Sequence, residues 1–102
     1  MTYALRFLPE VEEDAFSGYE WYEEKAQGLG EEFLRIFYAY AGSIPQNPLL
    51  YPKVHREFRR RLLIRFPYAV YFRIEDSTIV VYGLFHCARN PRTIKTTLQN
   101  RH

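Results

Sequence analysis

The chain has 102 residues, 47% hydrophobic and 25% charged, a balance that fits one folded domain over residues 1–102 and excludes both a disordered segment and a second core. No apolar run approaches the roughly 18 residues a membrane helix needs, and the start, MTYALRFLPEVEED, lacks the basic and apolar stretches of a signal peptide, so a cytoplasmic protein without membrane association is expected. The net charge of +2 conceals a division, because residues 1–52 hold three basic and nine acidic side chains, a net −6, whereas residues 53–102 hold eleven basic and three acidic, a net +8. A basic surface from the second half suits a polyanion or an acidic protein face, and a solvated basic face explains the same numbers.

Thr2 to Leu8, TYALRFL, alternates in β-forming residues and predicts a strand, with Pro9 closing it or opening the next element. Val11, Ala15, Tyr19, Tyr22 and Ala26 then recur at helical spacing with glutamates between them, which predicts an amphipathic helix from Glu10. Gly28 and Gly30 interrupt the pattern. A second helix is expected from near Glu31, with Phe33, Phe37, Tyr40 and Ile44 on one stripe, so that the two form an antiparallel hairpin. Pro45 and Pro48 stop the second helix.

Phe58 to Phe66 reads as one strand with Phe58, Arg60, Leu62, Ile64 and Phe66 on one side and Arg59, Arg61, Leu63 and Arg65 on the other. Tyr68 to Glu75 alternates Val70, Phe72 and Ile74 against Tyr71 and Arg73, and EDST provides a hairpin turn into Thr78 to His86. That last strand is apolar on both faces, as a central strand should be. The tail, NPRTIKTTLQNRH, fits a short helix or a loose end. The sum is an α+β domain in β-α-α-β-β-β order: a largely antiparallel sheet of about four strands, an N-terminal helical hairpin on one face, and the other face partly open, carrying Arg59, Arg61, Arg65, Tyr71 and Arg73.

Four stretches in this order, WYEEKAQGLGEEFLRIF, IPQNPLLYP, RRLLIRFPYAVYFRIED and IVVYGLFHCARNP, resemble the RelE/ParE superfamily, the toxins of type II toxin-antitoxin systems often labelled plasmid stabilisation proteins. The resemblance implies a toxin neutralised by a cognate antitoxin that wraps a helix or an extended segment around it. It leaves the target open between two branches and a member that has lost toxicity. RelE-like members cut messenger RNA on the ribosome, while ParE-like members inhibit DNA gyrase without cleavage chemistry.

Metal-free RNA cleavage needs a base for the ribose 2′-hydroxyl, cations for the phosphorane and an acid for the leaving oxygen. Arg61 and Arg65 are the first choices for the cations, because the guanidinium fork matches phosphate oxygens, and Arg89 follows the last strand. His86 has a neutral-range pKa and suits either proton transfer, with His55 or Glu57 as a further base. The resemblance places basic residues on the second strand and a Tyr or His near the end of the last strand or in the tail, positions to which Arg61 and His86 correspond. The tail itself has no Tyr, and together with the FPYAVYF and HCARNP stretches this favours the ParE side. Each residue also has a structural reading: a solvated strand edge for the arginines, a strand-end hydrogen bond for His86, a turn for Arg89, packing for Tyr71 and Tyr82. Trp21 reads as core or antitoxin contact. Cys87, the single cysteine, reads as a buried small hydrophobe, and no metal-binding or phosphate-cradling motif is present, so no cofactor is expected.

Overall fold

The computed structural model describes residues 2–102. Strand β1 (Ala4–Phe7) leads into helix α1 (Pro9–Lys25), α2 (Leu29–Ser43) and two 3-10 turns (Ile44–Gln46, Pro48–Leu50); β2 (Lys53–His55), β3 (Phe58–Leu62), β4 (Tyr68–Glu75), β5 (Thr78–His86) and α3 (Pro91–Arg101) complete the chain. Among the described residues no helix is long and apolar enough to cross a membrane.

α1 opens with Pro9, whose fixed φ and missing N–H suit the first helical position, and Glu10 and Glu12 face the positive end of its dipole. Between the helices Gly28 takes φ +86°, a conformation that strains any residue with a Cβ. Both carboxylate oxygens of Glu23 tie the turn, accepting the Gly28 and Gly30 N–H groups at 2.9 Å each. A Cβ on Gly30 would stand 2.6 Å from the Tyr19 carbonyl oxygen, so the helices approach here as only glycine permits.

The sheet has five strands in the order β1-β5-β4-β3-β2, with β1 parallel to β5 and the remaining pairs antiparallel. The expectation of about four largely antiparallel strands missed β2, a three-residue strand whose partner is reached through a turn at Arg56 with φ +52°. β5 lies between β1 and β4 from Thr78 to Val81, an interior position as expected, and beyond Val81 it pairs with β4 alone. Val11, Ala15, Phe33, Ile36, Phe37 and Ala41 of the hairpin pack on Val70, Phe72, Ile79 and Val81. The opposite face is closed by α3, whose Ile94 and Leu98 lie on Phe58, Ala69, Tyr71, Val80, Tyr82 and Phe85.

This second layer corrects the partly open face. Asn90 caps α3 by accepting the Arg92 N–H at 2.8 Å, and Pro91 fills its first position, so NPRT starts a helix. The strand read from Phe58 to Phe66 ends at Leu62. Arg65 takes φ +72°, Leu63 N–H donates to Tyr68 O at 2.9 Å, and Leu63 and Phe66 both bury while Ile64 is exposed, so strict alternation stops there. Ala26 is exposed beyond the end of α1.

Candidate functional site

The register of β3 against β4 separates the arginines that alternation had grouped. Arg59 faces Phe72 and Arg61 faces Val70, which puts both on the hairpin side, while Arg60 faces Tyr71 on the α3 side. Arg59, Arg61, Arg65, Tyr71 and Arg73 therefore do not share a face. Arg61 closes the end of α2: its Nη1 donates to Tyr40 O at 2.8 Å and to Ser43 Oγ, and its guanidinium lies 4.3 Å from the Tyr40 ring and 5.1 Å from the Tyr51 ring. Four orphan carbonyls end every helix, and here a cation takes one of them. Arg65 lies in the β3–β4 turn and pairs with Glu32 at 2.6 Å. Arg35, and then Arg65, hold the Glu32 carboxyl below the usual carboxylate range.

His86 ends β5 with its Nδ1 accepting the Ala88 N–H at 2.9 Å and its ring edge-on to Tyr68 at 5.1 Å. Arg89 follows in the turn, its guanidinium 4.8 Å from the Phe85 ring. Of the four residues singled out as catalytic, Arg61 and Arg65 are engaged on the hairpin side, and only His86 and Arg89 come near one another.

Arg89 instead joins two depressions, one on each side of the β5 end. The first is a cleft of about 260 Å³ between the sheet and α3, lined by His55, Arg60, Tyr71, Cys87, Arg89 and Lys95 among others. His55 ends β2, its ring parallel to Phe58 at 6.4 Å and its buried Nε2 without a hydrogen-bond partner among the described residues. Burial, then the charges of Arg56 and Lys95, pull its pKa below the ordinary histidine value, so it is a neutral imidazole among cations. Tyr82, also under α3, is withdrawn from proton transfer: burial and its donation to the Glu75 carboxylate push its hydroxyl up to about 12. The second depression, of about 340 Å³, runs between α1 and the outer edge of β5 and is lined by Asp14, Gly18, Trp21, Tyr68, His86 and Arg89 among others.

Cys87 is exposed on the turn after β5, contrary to the expectation of a buried small side chain. Trp21 is 55% exposed, which removes the core reading. Arg60 and Lys95 were not foreseen as cleft residues. The signal that finds them is Ile94 and Leu98 at i, i+4 in the tail, which marks a helix with one apolar stripe that must cover the Phe58 side of β3.

The fold is similar to those of chains in solved toxin-antitoxin assemblies. A chain of the chromosomal ParDE TA system from P. aeruginosa superposes with a TM-score of 0.72 at 16% identity, over 83% of this chain and 96% of that one. A chain of the RelBE2 toxin-antitoxin complex from Mycobacterium tuberculosis gives 0.58 at 17% identity, over 84% and 99%. No protein-family model matches. In sequence the chain is 28% identical over 102 residues to the toxin ParE2 of Mycobacterium tuberculosis, in strains CDC 1551 / Oshkosh and ATCC 25618 / H37Rv, covering 99% of this chain and 97% of the relative. In sequence the chain is thus similar to a ParE2 toxin, and in fold to chains of ParDE and RelBE2 toxin-antitoxin assemblies.

Proposed function

We propose that this chain is the toxin of a type II toxin-antitoxin pair, arresting growth until a cognate antitoxin binds it, and that it acts in the ParE manner, by binding DNA gyrase without catalysis. The observation that carries the reading is the similarity to the ParE2 toxin along the whole chain. The geometry supports the non-catalytic branch: Arg61 is held by the end of α2, Arg65 by Glu32, and the His86 Nδ1 by Ala88 N–H, so the groups a cleavage mechanism would recruit from the strand ends are already engaged.

A second reading has its own observation. The cleft under α3 sets a neutral imidazole, His55, beside Arg60, Arg89 and Lys95. A base with three cations can deprotonate a 2′-hydroxyl and stabilise a phosphorane, the requirements of a metal-independent endoribonuclease acting on ribosome-bound mRNA.

The test is expression of the chain alone and together with the protein encoded by the adjoining reading frame, followed by mapping of mRNA 5′ ends and of gyrase-linked DNA breaks. Arrest relieved by co-expression, with gyrase-linked breaks and unchanged mRNA ends, is the expected result. New mRNA ends that vanish in His55→Ala would establish the ribonuclease instead. Growth unaffected by strong expression of the folded chain would overturn the toxin role.

A further inference from the structure

Of the half-buried arginines among the described residues, all but one have a partner. Arg59 donates to Tyr51 O at 2.7 Å and Arg61 to Tyr40 O at 2.8 Å, Arg101 meets Asp14 at 2.6 Å, and Arg73 lies 3.5 Å from Glu75. Arg60 is also half-buried, yet its guanidinium makes no hydrogen bond or ion pair among the described residues, and only its main-chain N–H is used, by Pro52 O at 3.2 Å. A guanidinium partly withdrawn from water has no acceptor of its own, so its unmet donors cost free energy until something else supplies oxygens.

Arg60 opens into the cleft of about 260 Å³ between the sheet and α3, and two more cations line it, Arg89 from the turn after β5 and Lys95 from α3. Neither takes part in an ion pair among the described residues. None of the lining residues is acidic, and Glu57, the nearest acid in sequence, is taken by Lys53 at 3.1 Å. The walls are apolar, with Val54, Ile94 and Leu98 beside the cations. Like charges gathered without a counter-charge repel one another, and apolar walls strengthen both that repulsion and the attraction for an anion. His55 registers this field, since after burial it is Arg56 and Lys95 that pull its pKa down.

The number and kind of the donors select the anion. A carboxylate or an internal phosphodiester offers two free oxygens and a single charge. A phosphate monoester offers three terminal oxygens and close to two charges at neutral pH, an acceptor for each cation. We propose that the cleft is a binding site for a phosphate monoester, the phosphate held among Arg60, Arg89 and Lys95 and its organic group lying against Val54, Ile94 and Leu98. Arg60, fixed by β3 and the most enclosed of the three, presents its planar fork to the phosphate, and the exposed Arg89 and Lys95 supply charge. The site stands apart from both readings above: gyrase inhibition makes no demand on this cleft, and a ribonuclease would place an internal diester in it.

The test is titration of the full chain with methyl phosphate and with dimethyl phosphate near pH 7.5, at an ionic strength held with chloride and followed by residue-resolved NMR. Methyl phosphate should shift the resonances of Arg60, Lys95 and His55 and bind about tenfold more tightly than dimethyl phosphate. Its charge should also offset the field on His55 and move the imidazole's titration midpoint up toward the ordinary 6.5. Arg60→Gln should weaken binding about tenfold, whereas Arg6→Gln, which removes the same charge outside the cleft, should leave it unchanged. If Arg60→Gln does not fold, Lys95→Gln, at an exposed position of α3, decides. Equal binding of the two phosphates assigns the cleft to internal diesters and overturns the proposal. So does the absence of methyl phosphate binding up to tens of millimolar, or binding that neither Arg60→Gln nor Lys95→Gln weakens. A 5′-phosphorylated oligonucleotide that binds more tightly than the matching mononucleotide identifies the monoester as a nucleic-acid end, and the reverse order identifies a small phosphorylated molecule; either order supports the site.

Discussion

Arg61 illustrates how much a single side chain can hold. It satisfies Tyr40 O and Ser43 Oγ and lies against two tyrosine rings, so Arg61→Ala should lower the unfolding free energy by about 1–2 kcal/mol, read from the urea midpoint, and growth inhibition should fall only as far as folded protein does. His86 has a lighter role. In His86→Gln the amide oxygen can still accept Ala88 N–H, and the variant should arrest growth as fully as the parent at matched protein levels; a folded but inactive His86→Gln would instead assign it a proton transfer. His55 gives a pH signature. Its folded-state pKa lies below the ordinary value of 6.5, so between the two values the unfolded chain binds a proton the folded one refuses. Stability should be full above pH 6.5 and decline as pH falls toward the lowered pKa, and His55→Phe should flatten this slope in urea titrations compared at pH 7.5 and pH 5.5.

At the scale of elements, α3 decides whether the sheet has one buried face or two. Its apolar stripe is short, Ile94 and Leu98, and the helix is fastened at its far end by Arg101, whose two Nη atoms meet the Asp14 carboxylate of α1 at 2.6 and 3.0 Å. Both side chains are mostly buried, and removing the cation alone strands a carboxylate that also supports Leu84 N–H. Arg101→Met should therefore cost about 2–3 kcal/mol, and adding Asp14→Asn should recover part of that loss. Equal costs for the single and double variants in denaturant titrations would show the pair to be unimportant. The hairpin, by contrast, depends on the aromatic cluster of Tyr22, Phe33, Phe66 and Tyr68, whose rings meet at 4.8–6.1 Å, and so on the turn that ends β3.

For the molecule as a whole, the division of charge along the chain is only partly a division in space, since Arg59, Arg61 and Arg65 lie on the hairpin side. The glutamates of α1 lie on the outer side of the hairpin, and Arg60, Arg89 and Lys95 gather in the cleft on the opposite face. Both layers use the same central strands, and Asp14 and Arg101 tie one layer to the other across the edge of β5. Unfolding should accordingly be a single cooperative transition: the fluorescence of Trp21, on α1, and far-UV dichroism, which reports all elements, should give the same urea midpoint. Two separated midpoints would mean that the hairpin and the α3 layer unfold independently.

Periodicity was sufficient for α1, α2, β4 and β5, because a helix or strand that buries one side must show it in spacing whatever it packs against. The parity of Phe58, Arg60 and Leu62 against Arg59 and Arg61 was legible in the same way. Which side meets the hairpin was not, since Phe58 buries under α3 while Arg59 and Arg61 reach back to Tyr51 O and Tyr40 O. Alternation also carried the strand too far, as nothing local announces that Arg65 will take a left-handed conformation. His55 and Arg89 were visible as chemistry-bearing residues, but their company was not: the cleft with Arg60 and Lys95 exists only because α3 lies on the sheet, and the free edge of β5 only because β1 stops at Phe7 and a bulge falls at Tyr82. Side-chain spacing records what one element must bury; strand register and the partner of each face are settled between elements far apart in the chain, where packing of the whole core selects among arrangements that local preference leaves equal.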